Sequence, residues 1–86
     1  MPNRGHIIII NDNPVDADVL QELLETDGYR VDKKANGKNA LTNISEAKPN
    51  LILLGDSLPD INPFSLLAKL KQGKQTKYIP VIFLTT

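Results

Sequence analysis

The chain of 86 residues is predicted to form one α/β domain built on a doubly wound parallel sheet. Two runs, residues 7–10 and 51–54, are apolar at every position, which is typical of strands buried on both faces of a parallel sheet. Segments with helical periodicity separate the apolar runs, so single helices join successive strands. Such crossovers are right-handed and place helices on both faces of the sheet.

The first helix and its two ends can be placed from residue types. After the isoleucine run, Asn13 suits a helix N-cap and Pro14 suits the first helical position, because proline has no N–H to leave unpaired. Gly28 follows the helix as its C-terminal stop. Between these ends, apolar residues recur at helical spacing: Val15, Val19, Leu20, Leu23 and Leu24.

A second strand and a second helix follow. Residues 29–33 alternate apolar and polar side chains, which predicts a short strand near an edge of the sheet. Asn36-Gly37 is a turn signal. The spacing of the apolar residues over 40–47 gives the next helix one apolar face, and Pro49 ends it.

The second half of the chain repeats this alternation. Residues 55–63 contain two prolines, a glycine and two aspartates and are predicted to be a loop. Apolar residues at helical spacing predict a third helix from about residue 64 to about residue 72. Residues 79–84 are the last predicted strand, which runs directly into Thr85 and Thr86.

Composition excludes several classes of function. Ten basic and ten acidic residues give a net charge of zero, so no basic field is present to attract nucleic acid or an anionic membrane. The chain has no cysteine, which removes thiolate chemistry and thiolate metal sites. No run of apolar residues is long enough for a signal segment or a membrane span. A cytoplasmic protein is expected.

Polar residues follow the predicted strands directly. In a doubly wound sheet, ligands bind at the carboxyl ends of the strands, beside the switch in strand order. This rule selects six candidate site residues: Asn11, Asp12, Gly55, Asp56, Thr85 and Thr86.

Four segments together resemble the response-regulator receiver domain of two-component systems. They are an Asn-Asp pair after the first strand, an Ala-x-Gly-x-x-Ala turn into the second helix, a Leu-Pro-Asp loop after the third strand and a Pro-Val-Ile-x-Leu-Thr fourth strand. Each piece is weak evidence alone, but their order and spacing match across nearly the whole chain. The resemblance implies a flavodoxin-like, CheY-like fold and a role in phosphorelay signal transduction.

The resemblance also implies a set of site residues, of which this sequence keeps only part. In the family an acidic pair holds Mg²⁺, an aspartate at the end of the third strand accepts the phosphoryl group, and a hydroxyl follows the fourth strand. Here the first acid of the pair is replaced by the neutral Asn11, while Asp12 is retained. Gly55 stands at the acceptor position, and Thr85 is at the switch position. The family's lysine after a fifth strand cannot be mapped.

Asp56 and Asp12 each allow a functional and a structural interpretation. Asp56 becomes a displaced acceptor if Gly55 lets the backbone bulge; otherwise it is a solvated loop residue or a cap for a nearby N–H. Asp12 contacts a cation in one interpretation and is an acid favoured at a helix N-terminus in the other. Both residues are therefore weak candidate Mg²⁺ ligands, and no resident cofactor is expected. Thr85 is either the switch hydroxyl or a β-branched strand residue.

Three hypotheses follow from the resemblance. Residues 1–86 are expected to form a receiver domain that lacks the last strand and its flanking helices, which leaves 81–84 as an apolar edge open to self-association. The leading hypothesis is a pseudo-receiver: a protein-interaction module, not an enzyme, whose partner is a sensor histidine kinase or another signalling protein. The second is a working phosphoacceptor that uses Asp56 with Mg²⁺. The third is an inactive fragment of a longer regulator.

Overall fold

The computed structural model describes residues 4–84 and contains a single four-stranded parallel sheet. Its strand order is β2-β1-β3-β4, so the predicted parallel architecture is confirmed. The elements are β1 (His6–Ile10), α1 (Pro14–Thr26), β2 (Arg30–Lys34), α2 (Gly37–Ala47), β3 (Leu51–Gly55), α3 (Pro63–Gln72) and β4 (Val81–Leu84). No helix among residues 4–84 has the length and apolar character needed to cross a membrane.

The sheet has a separate apolar core on each face, because successive side chains of a strand point to opposite sides. On one face, Ile8 and Ile10 of β1 and the equivalent residues of β3 pack against α2 and α3. On the other face, Ile7 and Ile9 pack against α1. All four isoleucines are at most 3% exposed, which confirms that β1 is buried on both faces.

Asparagine side chains begin all three helices. Asn13 Oδ1 accepts hydrogen bonds from the N–H groups of Val15 and Asp16, and Pro14 occupies the first helical position, as predicted. Asn36 and Asn62 cap α2 and α3 in the same way. Each cap satisfies N–H groups that have no partner inside the helix.

Three predicted boundaries were wrong by one or two residues. The loop predicted at 55–63 spans only 56–62, because Gly55 is the last residue of β3 and Pro63 is the first of α3. The second strand covers 30–34 rather than 29–33. The last strand begins at Val81 rather than residue 79, since the preceding segment forms a turn in which Ile79 N–H bonds to the Thr76 carbonyl.

Only part of the apolar spacing in α1 is used in the core. Ala17 is buried, and Leu20 and Leu24 pack against the sheet, but a second row of apolar side chains remains exposed. This row consists of Val15, Val19 and Leu23. Within the described residues, α1 is the only helix on its face of the sheet.

Candidate functional site

A cleft of about 490 Å³ opens at the carboxyl ends of β1, β3 and β4, where the sequence places the candidate site. Its apolar lining residues belong to α1 and to the end of β4, and its polar lining residues include three aspartates. The lining residues are Asn11, Asp12, Asn13, Asp16, Val19, Leu20, Gly55, Asp56, Ser57 and Leu84. Four of the six predicted site residues therefore lie at one cleft, while Thr85 and Thr86 lie outside the described residues.

Asn11 is held in a local turn rather than left free at the cleft. Its Oδ1 accepts a hydrogen bond of 2.9 Å from the Asn13 N–H, and its own N–H donates to the Lys34 carbonyl at 3.0 Å. The amide oxygen of Asn11 therefore helps to shape the entry into α1. Asp12, the next residue, is exposed and lines the cleft just before the helix cap.

Gly55 is buried at the end of β3, directly beside the end of β1. A Cβ atom at this position would lie 3.1 Å from the Ile10 carbonyl oxygen and 3.5 Å from both Cα and Cγ of Asn11. Gly55 has no positive φ angle, so its backbone conformation does not require glycine. Gly55 therefore provides no side chain at this position, although the backbone conformation would allow other residue types.

Asp56 lies immediately beyond β3, is exposed and lines the same cleft as Asp12. The strand pairing remains regular to its end, with Gly55 opposite Leu84 of β4. A backbone bulge at Gly55, which the displaced-acceptor interpretation invokes, is therefore not present in the ladder.

The polar residues of the cleft fit a divalent cation poorly. Within residues 4–84, no three histidine, cysteine, aspartate or glutamate side chains come together as a metal-binding group. Asn11 contributes no charge, and its oxygen already accepts a hydrogen bond. A hard cation such as Mg²⁺ is held through carboxylate oxygens. Three aspartates line the cleft, Asp12, Asp16 and Asp56, but they do not come together as a metal-binding group.

The loop that follows the site is fastened to α2 by Asp60, which was not predicted from the sequence. The Asp60 carboxylate accepts hydrogen bonds from the N–H groups of Gly37 at 2.8 Å and Lys38 at 3.0 Å, at the N-terminus of α2. Ile61 covers Gly37 so closely that a Cβ there would lie 2.2 Å from Ile61 Cγ2. Two segments of the family resemblance, the Ala-x-Gly turn and the Leu-Pro-Asp loop, thus interact directly.

Hydrogen bonding determines how Asp60 titrates. The Gly37 N–H, with smaller contributions from the Lys38 N–H and the Lys38 ammonium, holds the pKa of Asp60 below its ordinary value of 3.8, although partial desolvation opposes this shift. Because the pKa is lowered in the folded state, the stabilisation is present above pH 3.8 and is lost as pH falls through the lowered pKa.

An Asp60→Asn variant is expected to have a lower Tm than the parent at neutral pH. The difference should shrink below pH 3.8, because protonation already weakens the same interaction in the parent. Thermal unfolding followed by circular dichroism from pH 7 to the acid range measures both trends. The matched control is Asp56→Asn, an aspartate without these N–H partners, whose difference from the parent should not follow this pH profile. A constant difference for Asp60→Asn would contradict the assignment.

Comparisons with known proteins agree with this architecture. The family model of the response regulator receiver domain matches residues 7–86. PilH of Pseudomonas aeruginosa is 32% identical over 82 residues, covering 95% of this chain and 68% of PilH. The polar-differentiation response regulator DivK of Brucella anthropi is 32% identical over 79 residues, covering 92% of this chain and 64% of DivK. The chain therefore spans about two thirds of the length of these relatives.

A solved structure supports the same assignment. The N-terminal domain of a response regulator receiver protein from Methanoculleus marisnigri superposes with a TM-score of 0.92 at 29% identity, covering 96% of this chain and 68% of that one. The flavodoxin-like fold expected from the resemblance is thereby confirmed. With its parallel sheet, its cleft at the strand ends and the match over 7–86, this chain belongs to the response regulator receiver domain family of two-component signalling.

Proposed function

We propose that this receiver domain is a pseudo-receiver, which takes part in two-component signalling through protein contacts and without phosphorylation of an aspartate in β3. The observation that carries the proposal is Gly55. Phosphoryl acceptance requires a nucleophilic carboxylate, and the buried end of β3 has no side chain at that position. The chain is accordingly proposed to catalyse no reaction.

The neighbouring residues support the proposal. Asn11 is neutral, and its Oδ1 is committed to the Asn13 N–H. A developing phosphoryl transition state needs positive charge close by, usually supplied by a metal ion, and a site with few carboxylates holds such an ion weakly. We therefore propose that no resident Mg²⁺ is part of the function.

The parent chain is expected to gain no phosphoryl mass when incubated with acetyl phosphate and Mg²⁺. Intact mass spectrometry under non-acidic conditions measures the modification directly. An Asp56→Asn variant serves as the matched control, because it removes the nearest exposed carboxylate and keeps the size of the side chain. A phosphoryl mass on the parent that is lost in Asp56→Asn would overturn the pseudo-receiver proposal.

The second candidate function is phosphorylation of Asp56 itself, and one observation favours it. Asp56 lines the same cleft as Asp12, so a carboxylate is present one residue beyond the usual position. In that reaction an Asp56 oxygen would attack phosphorus and acetate would leave. The regular pairing of Gly55 with Leu84 argues against this candidate, since nothing turns Asp56 back toward the end of β1.

The remaining assignments follow from the family. Receiver domains act with kinases or other signalling proteins, and we propose a sensor histidine kinase or another cytoplasmic signalling protein as the partner. Nucleic acid and membrane surfaces are not proposed partners, because the net charge is zero. Thr85 is proposed to keep the position of the switch hydroxyl without a phosphoryl group to bind.

We further propose that the chain self-associates through β4. Among the described residues, β4 pairs only with β3, so its other edge presents unpaired backbone groups. Ile82 on this strand is 50% exposed, and Phe83 and Leu84 are only partly buried. The other edge strand, β2, carries one arginine and two lysines in five residues, which disfavours pairing there.

At about 1 M salt, where contacts between surface charges are screened, an Ile82→Lys variant is expected to be monomeric at concentrations where the parent is dimeric, because a lysine on an edge strand opposes pairing with another chain. Sedimentation equilibrium gives the average mass of both proteins. The control is Ser45→Lys, which adds the same charge to the exposed surface of α2. Equal masses for the parent and Ile82→Lys would contradict association through β4.

A further inference from the structure

The charged residues of this chain are segregated between the two faces of the sheet. Residues 11–27, which include α1, carry six of the ten acidic residues and no basic residue. Residues 61–84, which include α3, carry four of the ten basic residues and no acidic residue. Because α1 and α3 pack on opposite faces, the molecule has an acidic face and a basic face although its net charge is zero.

The acidic face also exposes the apolar row of α1. Val15, Val19 and Leu23 are 68%, 54% and 63% exposed and lie one helical turn apart. Helical spacing places Asp16 on one side of this row and Glu22 on the other. Neither carboxylate forms an ion pair within residues 4–84, in contrast to Asp18 and Asp27 of the same segment. An apolar strip bordered by unpaired acids is a surface of the kind that binds an apolar, basic partner.

The basic face, on and after α3, has the matching chemistry. Phe64 and Tyr78 are 71% and 82% exposed there. Lys71 Nζ donates to the carbonyls of Lys77 and Ile79, which ties this lysine to its own turn. The other three lysines, at positions 69, 74 and 77, are exposed and form no salt bridge in the described part of the chain. Phe64 packs on Phe83 of β4 with ring centroids 5.1 Å apart, and Lys77 Nζ lies 5.0 Å from the centroid of the Tyr78 ring. This face therefore offers two exposed aromatic side chains and three lysines without a salt bridge.

We propose that these faces bind each other between copies of the chain, with the α1 face of one molecule docked on the α3 face of the next. Apolar side chains would meet apolar side chains, and the unpaired acids of α1 would meet the unpaired lysines. The two surfaces differ, so the contact is heterologous and can continue from molecule to molecule. It differs in symmetry from the pairing of β4 edges, which joins two identical surfaces.

Salt distinguishes this contact from sheet pairing. The test uses the Ile82→Lys chain, in which the β4 edge is blocked, so the outcome does not depend on the earlier self-association proposal. Sedimentation velocity is recorded at about 10 mM and about 1 M salt, where the Debye length is about 30 Å and about 3 Å respectively. We expect association at low salt to weaken roughly tenfold or more at high salt. A monomer at low salt, or association that salt does not change, would overturn the proposal.

A charge exchange tests the pairing of the two faces. Both variants are made in the Ile82→Lys chain. One carries Glu22→Lys and Glu25→Lys, which changes the charge of residues 11–27 from −6 to −2; the other carries Lys69→Glu and Lys74→Glu, which changes the charge of residues 61–84 from +4 to 0. Each variant alone is expected to associate more weakly than the Ile82→Lys chain at low salt. An equimolar mixture is expected to associate more strongly than either variant, because it brings the unchanged acidic face of one together with the unchanged basic face of the other. Circular dichroism verifies that both stay folded, as expected for exposed positions. A mixture that stays monomeric would refute docking between these faces.

Discussion

The double variant Asn11→Asp, Gly55→Asp is expected to accept a phosphoryl group from acetyl phosphate in the presence of Mg²⁺, whereas the parent does not. It restores a carboxylate at the end of β3 and a second acid after β1, the two groups that the cleft lacks. Intact mass spectrometry detects the change from an unmodified to a modified protein. This is the largest functional effect that two substitutions are expected to produce in this chain.

The structure also indicates what this change costs. The new Cβ would lie 3.1 Å from the Ile10 carbonyl oxygen, so the ends of β1 and β3 must separate by a few tenths of an ångström. The added carboxylates would also repel Asp12, and Mg²⁺ would relieve that repulsion. The Tm of the double variant should therefore rise with Mg²⁺ more than the Tm of the parent.

The two single variants are the controls for this prediction. Gly55→Asp alone restores a nucleophile beside a neutral Asn11, and Asn11→Asp alone restores an acid without a nucleophile. Only variants with the β3 aspartate should gain mass. The double variant could fold and yet gain neither phosphoryl mass nor a Tm response to Mg²⁺. In that case Asn11 and Gly55 do not explain why the parent accepts no phosphoryl group.

The largest expected loss of stability comes from truncating Ile52 in β3. Ile52 is fully buried between the sheet and α2–α3, and an Ile→Ala change in such a core costs about 2–5 kcal/mol. At ~0.05–0.15 kcal/mol per residue, a chain of this size has a total stability of roughly 4–13 kcal/mol. Ile52→Ala should therefore remove a large part of the free energy of unfolding, about 2–5 kcal/mol, as measured by urea titration.

Ile82→Ala is the matched control, since Ile82 is also a strand isoleucine but is 50% exposed. Ile82→Ala should lower the free energy of unfolding of the monomer by less than about 1 kcal/mol. A loss as large as that of Ile52→Ala, present only at high protein concentration, would show that Ile82 is covered by another molecule in solution.

Much of this fold could be predicted because its signals are local. The fully apolar runs of β1 and β3 fix the centre of the sheet, and Asn13 with Pro14 marks the start of α1. Gly28 has a φ angle of +96°, as its predicted role as a helix stop requires. These features depend on neighbouring residues only, so residue types and spacing are enough to identify them.

Contacts between distant segments could not be predicted in the same way. Asp60 reaches Gly37 across 23 residues, and neither residue type alone indicates the contact. His6 precedes the isoleucine run, yet it belongs to β1, and its Nε2 lies 2.7 Å from Asp32 Oδ2 on β2. The sequence pattern likewise could not show that Leu20 and Leu24 pack against the sheet while Leu23 remains exposed. All three fit helical spacing, and the sheet determines which of them are covered.

The central position of β1 has a consequence for synthesis of the chain. Its isoleucine run acquires its two neighbours at different times, because Ile7 pairs with Val31 on one side and with Leu51, 44 residues later, on the other. At about 5–20 residues per second, translation takes roughly two to nine seconds to supply that second neighbour. During this interval the four consecutive isoleucines of β1 lack the neighbouring strand β3 on one edge. The nascent chain should therefore depend on chaperones more than the finished domain does.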